Sequence, residues 1–329
     1  MARPIKPMNA ICKKAFVTGG SGFIGSHLVD SLLAHGAEVV VYDNFSTGRP
    51  EFMPSPPPPG LQVVRGEVLD LPAVQKAMAG CDFVFHFQAN ADVRSGKQKT
   101  RIDLEQNTLA TWNVLEAMRI NEVKRIAFAS SAAVYGEPEV FPTPEQYAPL
   151  QTSLYGASKL AGEAMMQAYC EYFGMHCFIY RFVSWIGERY THGIVFDVMK
   201  KLLADSTHLP LLGDGTQRKS YLYVKDGVAG VMLGIDRAVA QKNVYNLGHD
   251  DFIDVRQVVS IILDELKLRE VKLEFAGGKR GWVGDSPLVH LDTSRIKALG
   301  WRPAVSIEEG LRRTVRYLQQ RPKLLRERV

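Results

Sequence analysis

Ala15-Phe16-Val17-Thr18-Gly19-Gly20-Ser21-Gly22-Phe23-Ile24-Gly25 reads as a short apolar strand running straight into a glycine-rich turn and the start of a helix. Such a turn lets the backbone approach a pyrophosphate closely. The helix N-terminus behind it offers free N–H groups and a positive dipole end. Gly19, Gly22 and Gly25, with Phe23 and Ile24 between them, are therefore candidates to cradle a dinucleotide. A glycine triplet by itself also fits a tight turn with no ligand. The spacing to Asp43, 24 residues after Gly19 and at the end of the next strand candidate, argues for the ligand. A carboxylate there hydrogen-bonds a ribose 2′-hydroxyl and repels a 2′-phosphate, so the expected cofactor is NAD rather than NADP.

Outward from this turn, β-rich runs alternate with helical stretches. Strands are expected at Ala15–Thr18, Glu38–Tyr42, Leu61–Arg65, Phe83–Phe87, Arg125–Ala129 and Cys177–Arg181. They carry Val, Ile and Phe without polar alternation, as parallel strands covered on both faces do. Within 155–173, Ala161, Met165, Ala168 and Tyr172 fall on one helical face. The pattern predicts a Rossmann-type, doubly wound α/β sheet. After residue 183 the alternation loosens, and a strand and helix return at Ser220–Arg237. This predicts a dinucleotide-binding domain over 1–183 and 218–250, and a smaller, discontinuous substrate domain over 184–217 and 251–329. Met53-Pro-Ser-Pro-Pro-Pro-Pro-Gly60 favours polyproline II and reads as a stiff surface loop.

The composition sets bounds. Lys and Arg number 40 against 35 Asp and Glu, spread along the chain apart from a basic end at Arg321, Lys323, Arg326 and Arg328, which reads as a solvated tail. Neither a nucleic-acid nor a membrane partner is expected. Cys12, Cys81, Cys170 and Cys177 form no Cys-x-x-Cys pair and have no His at zinc spacing. Reduced thiols, no metal and a cytoplasmic protein are the expectation. No apolar run approaches the ~18 residues that span a bilayer, and Met1 to Lys14 shows no apolar core of a secretory signal.

The second chemical signal lies past the fifth strand. Ser131 ends that region, Tyr155 follows 24 residues later, and Lys159 stands four beyond Tyr155. On a helix these last two share a face. A free phenol has a pKa near ~10 and needs help to act as a base. A neighbouring ammonium and an oxidised nicotinamide ring both favour the phenolate. Ser131 can hydrogen-bond the same oxygen or a substrate hydroxyl.

Together with the glycine turn, the segments Tyr42-Asp43-Asn44-Phe45-Ser46-Thr47-Gly48, Ser130-Ser131-Ala132-Ala133-Val134-Tyr135-Gly136 and Tyr155-Gly-Ala-Ser-Lys159 resemble the extended short-chain dehydrogenase/reductase superfamily. Within it the chain is most similar to the UDP-galactose 4-epimerase branch. Gly213-Asp214-Gly215-Thr216-Gln217-Arg218-Lys219-Ser220-Tyr221 and Gly300-Trp301-Arg302-Pro303 extend the likeness over roughly 13–318.

The resemblance implies a hydride shuttle on tightly held NAD, with Tyr155 deprotonating the 4-hydroxyl of a UDP-linked hexose, and Ser131 and Lys159 assisting. By the same likeness Asn44, Ser46, Gly48, Val68, Gln88, Asn107 and Lys159 would line the cofactor. Ser184, His192, Arg218, Lys219 and Arg280 would serve the nucleotide sugar, with Ser131 at the reacting hydroxyl. A small residue is usual where Gln88 stands, and Asn where Ser184 stands. Val289 replaces a Tyr that closes the sugar pocket in some epimerases, so room for an N-acetyl group is expected.

Similar 4,6-dehydratases carry an Asp-Glu pair, and similar decarboxylases a Glu, directly after the catalytic hydroxyl residue. Here Ala132 and Ala133 stand there, which favours epimerisation. Dehydration or decarboxylation within the superfamily, with Glu137 or Glu188 as the nearest alternative carboxylates, and a non-catalytic NAD-binding sensor or scaffold are the competing readings. Similar proteins pair as homodimers through the helices at about 107–121, here expected to present Val114, Leu115 and Met118, and 155–173. His86 reads equally as a core or a functional residue.

Overall fold

The computed structural model describes residues 12–326; most of the N-terminal stretch read above for a secretory signal, and Arg328 of the basic end, lie outside them. Its centre is a seven-stranded parallel sheet. The first six strands are β1 (Lys14–Thr18), β2 (Glu38–Asp43), β3 (Leu61–Arg65), β4 (Phe83–His86), β5 (Arg125–Ser131) and β6 (His176–Phe182). Strands β7 (Ser184–Ile186), β8 (His208–Leu211), β9 (Arg218–Lys219) and β10 (Tyr221–Tyr223) lie elsewhere, and β11 (Lys242–Leu247) closes the large sheet. Its order is β11-β6-β5-β4-β1-β2-β3. The order reverses between β1 and β4, and ligands of doubly wound sheets bind in the crevice at such a switch point.

Helices cover both faces. Adjacent residues of β1 diverge as the pleat requires. Val17 packs with Leu28 and Leu32 of α1 (Phe23–Ala34), whereas Phe16 packs into the core beneath α2 (Leu71–Met78). A helical stretch runs from α3 (Arg101–Asp103) through a π-helical turn at Leu104–Leu109 into α4 (Ala110–Ile120), beside α5 (Leu154–Phe173). Ser153 caps α5 by accepting from the Gly156 N–H at 3.0 Å, and Gly174, at φ +61°, ends it in the left-handed conformation.

The rest of the chain holds α6 (Ile194–Ala204), α7 (Val224–Arg237), β12 (Ile253–Asp254), α8 (Val255–Glu265), β13 (Lys272–Phe275), β14 (Leu288–Val289), α9 (Ser294–Ala298), α10 (Ile307–Gln319) and α11 (Pro322–Arg326). Small sheets pair β7 with β10, β8 with β13, and β9 with both β12 and β14. Their apolar residues share one core with the α1 and α7 face.

Two expectations are corrected. Val114, Leu115 and Met118 are fully buried within the protomer. A helix over a parallel sheet spends its apolar stripe on the sheet, so this stripe cannot face a partner. The outward apolar residues of this stretch and α5 are Leu104, Leu109, Trp112, Ile120, Leu154, Tyr172 and Phe173. The basic end is not a free tail through Arg326, because α11 buries Leu324 and Leu325 while Lys323 and Arg326 stay exposed. The proline-rich stretch 54–60 is a surface loop, mostly exposed, and the four cysteines are free and buried. No helix among the described residues is long and apolar enough to cross a membrane.

Candidate active site

The glycine turn sits at the C-terminal end of β1. Gly19 has φ +69°, and a Cβ there would lie 2.8 Å from the Gln88 backbone. A Cβ on Gly25 would stand 2.1 Å from the Gly19 carbonyl, so only glycine lets α1 start this close to the turn. Gly22 is the N-cap of α1, and no side chain caps the helix. Its first N–H groups therefore remain available to an anion. The Ser21 hydroxyl is buried there with no partner. These features fit a pyrophosphate.

At the end of β2, the Asp43 carboxylate accepts from the backbone N–H of Ser21 and of Phe45, each at 2.9 Å. It pins the turn to the second strand and keeps lone pairs free for a hydroxyl. Burial pushes its carboxyl up, and the two N–H donors pull it back. Gly48 lies so close that a Cβ would come within 2.8 Å of both Asp43 oxygens. Asn44 donates to Glu67 at 3.1 Å and accepts from Ser46 N at 2.9 Å. Glu67, past β3, was not foreseen; an acidic residue at the end of the third strand was the available signal. Val68 beside it is buried.

The groups at the ends of β4 and β5 converge on α5. Tyr155 is partly buried and hydrogen-bonds Ser131, whose Oγ also accepts from Ala133 N at 3.1 Å. Lys159 is 2% exposed and donates to the Ala129 carbonyl at 2.8 Å. Its Nζ lies 4.8 Å from the Phe128 ring centroid and 5.9 Å from that of Tyr155. Burial pushes the Tyr155 phenol up to about 12, opposed by the Ser131 hydrogen bond, and pushes the Lys159 ammonium down to about 7. Such opposed shifts in neighbouring groups are typical of acid–base sites.

Asn107, in the π-helical turn, ties the surroundings together. It donates to Asp103 at 3.1 Å and to Ser158 at 2.9 Å, and accepts from Asn90 N at 2.8 Å. Gln88 donates to Gln106, while its own Oε1 is buried without a partner near the glycine turn. His86 is a core residue, 1% exposed and stacked on Phe128. Thr111 donates to the Asn107 carbonyl and so accepts from His86 Nε2; Thr18 then donates to Nδ1 at 2.7 Å. This fixes a neutral ring, and burial pushes its pKa down to about 3.

The residues foreseen for the nucleotide sugar are less tightly gathered. Arg218 and Lys219 are consecutive on β9; Lys219 pairs with Asp285 at 2.5 Å, and Arg218 stacks over Phe252 at 5.3 Å. Val289 is the β14 partner of Lys219. Arg280 pairs with Glu137, and Glu188 accepts from the Tyr223 hydroxyl at 2.9 Å. Ser184 opens β7 and is exposed. His192 stacks on Tyr190, and both rings face Phe23 of the glycine turn edge-on. No group of three or more metal-ligating side chains occurs among the described residues.

Fold and site define a Rossmann-type, NAD-dependent enzyme of the extended short-chain dehydrogenase/reductase superfamily. The sequence pattern of the NAD dependent epimerase/dehydratase family matches residues 15–248, and the chain belongs to that family. It is 29% identical over 309 residues to a putative UDP-glucose 4-epimerase of Methanocaldococcus jannaschii, covering 92% of this chain and 97% of that one. A solved UDP-galactose 4-epimerase is 36% identical, with a TM-score of 0.83 and coverage of 93% and 99%. A dTDP-glucose 4,6-dehydratase from Streptomyces venezuelae is 28% identical, with a TM-score of 0.85 and coverage of 94% and 98%.

Proposed function

We propose that the protein is a nucleotide-sugar 4-epimerase that inverts C4 of a UDP-hexose through a 4-keto intermediate. Residues 1–183 and 218–250 would carry the cofactor, and 184–217 and 251–329 the nucleotide sugar. Bound NAD supplies hydride acceptance and return at C4. It would be held by Gly19, Gly22, Phe23, Ile24, Gly25, Asp43, Asn44, Ser46, Gly48, Val68, Gln88, Asn107, Tyr155 and Lys159. Tyr155 Oη removes the proton of the sugar 4-hydroxyl and later returns one to the keto oxygen. Ser131 holds that oxygen in line with Tyr155. Lys159, buried behind the phenol, stabilises the phenolate by its charge.

The observation that carries this reading is the Ala132–Ala133 pair in the turn directly after Ser131. Eliminating water from C5–C6 needs a proton donor and a base at the reacting carbons, and methyl groups are neither. The two alternative carboxylates are each engaged, Glu137 with Arg280 and Glu188 with Tyr223. Ser184, His192, Arg218, Lys219 and Arg280 are the residues proposed to contact the nucleotide sugar. The protein is read as a cytoplasmic homodimer that pairs through the exposed apolar residues of α4 and α5. The test of substrate and reaction is a panel of UDP-, dTDP-, GDP- and CDP-sugars, N-acetylated ones included, with products resolved by NMR. Turnover confined to non-UDP sugars, or absent with all of them, would remove this reading.

A further inference from the structure

The chemistry assigned to α5 ends at Lys159, but the buried polar residues do not. Glu163 lies one turn further, so Tyr155, Lys159 and Glu163 stand at i, i+4 and i+8 on one helical face. It is 1% exposed, and its carboxylate accepts three donors. The Ser130 hydroxyl donates at 2.5 Å, Arg181 Nε at 3.0 Å and Arg181 Nη2 at 2.6 Å. Ser130 is the strand neighbour of Ser131. Lys159 in turn donates to Ala129, on the other side of Ser130. Two bonds from α5 therefore clamp consecutive residues of β5 just before the serine that meets Tyr155.

We propose that Glu163 is a positioning residue of this site, fixing α5 against the strand end that carries Ser131 and supplying buried negative charge behind Lys159. This rests on Tyr155 and Lys159 being the proton-transfer pair. The clamp is braced from below. Arg181 Nη1 donates to the Tyr135 hydroxyl and the Glu145 carbonyl, both at 2.9 Å, and Tyr135 donates to Asn246 on β11 at 2.7 Å. Asn246 donates to the carbonyls of Thr143 and Asp292. The chain of bonds runs from α5 through β6 and β11 to the segment leading back from β14.

The other titratable groups facing Lys159 are Tyr155, Asp103 and His86. His86 is locked neutral by Thr18 and Thr111. Asp103 takes both its side-chain donors on one oxygen, its other oxygen has no partner, and burial pushes its carboxyl up. Glu163 instead holds a guanidinium, which stays charged at every pH where a protein folds. Both of its oxygens are engaged by donors, so its place behind the ammonium is fixed.

The prediction separates charge from placement. Glu163→Gln removes the anion, so the Tyr155–Lys159 pair releases its first proton more readily. The acid limb of the kcat–pH profile should move down by roughly one pH unit. Glu163→Asp keeps the charge with a shorter reach, and its limb should move less than half as far while kcat falls. Ser130→Ala leaves every charge in place and loosens the clamp; its limb should stay put and kcat fall roughly tenfold. Profiles are taken on the holoenzyme with whichever nucleotide sugar the wild type turns over, so a wrong sugar does not disturb the reading. A limb at the wild-type pH in Glu163→Gln, or a Ser130→Ala kcat within twofold of wild type, overturns the proposal. Should Glu163→Gln not fold, Ser130→Ala decides alone. Full activity in Tyr155→Phe would instead overturn the assignment of the pair.

Discussion

Tyr155 and Lys159 meet in a setting that strips water from both. Burial pushes one up to about 12 and the other down to about 7, and the Lys159 Nζ stands 5.9 Å from the Tyr155 ring centroid. Below about pH 7 the pair holds two protons and contains no base. Above it the pair holds one, and the form with that proton on Lys159 has the phenolate. Activity should rise through about pH 7 and then stay flat towards 12, until the protein itself fails. A profile that falls between pH 8 and 9 while the protein stays folded would contradict this. Tyr155→Phe should lower kcat by ~10²–10⁴, the usual loss for a positioned acid–base group. Activity within a few-fold of wild type would remove Tyr155 from the chemistry. The glycine turn, Asp43, Ser131, Tyr155 and Lys159 were all legible as spacings, because backbone geometry and helical period dictate them. Glu163 and Arg181 were not, since nothing in a sequence marks which charged residues go inside as a pair.

Elements were read about as well as their apolar content allowed. The six strands rich in Val, Ile and Phe match β1 to β6 within two residues. The seventh, Lys242-Asn243-Val244-Tyr245-Asn246-Leu247, was missed because two asparagines lower its β-propensity. Asn246 is fully buried there, its amide serving the bonds under Arg181. On α4 the apolar stripe was visible, but whether it faced the sheet or a partner was not. The burial now divides two sets of residues. Leu115→Ala should cost roughly 2–5 kcal/mol of stability, as fully buried leucines do. Trp112→Glu together with Tyr172→Glu should leave the protomer folded and shift solution mass from dimer to monomer. A wild type that is monomeric at micromolar concentration would end the dimer reading.

For the whole molecule, the glycine turn, the Asp43 carboxylate and the Tyr155–Lys159 pair are the groups proposed to meet one NAD in the crevice at the β1/β4 switch. An epimerase that released its reduced cofactor in mid-cycle would strand the keto sugar. The protein should therefore purify with NAD(H) bound, recoverable from the denatured chain. An empty protein that depends strictly on added NAD would argue against a retained cofactor. Structural similarity does not separate the reactions here, because a UDP-galactose 4-epimerase and a dTDP-glucose 4,6-dehydratase superpose about equally well on the chain. The proposed epimerisation rests instead on the two methyl groups that follow Ser131. Mass spectrometry of the product, with its C4 configuration assigned by NMR, therefore bears most directly on what this protein does. Epimerisation predicts an unchanged mass and an inverted C4, and loss of water or carbon dioxide from the sugar would contradict it.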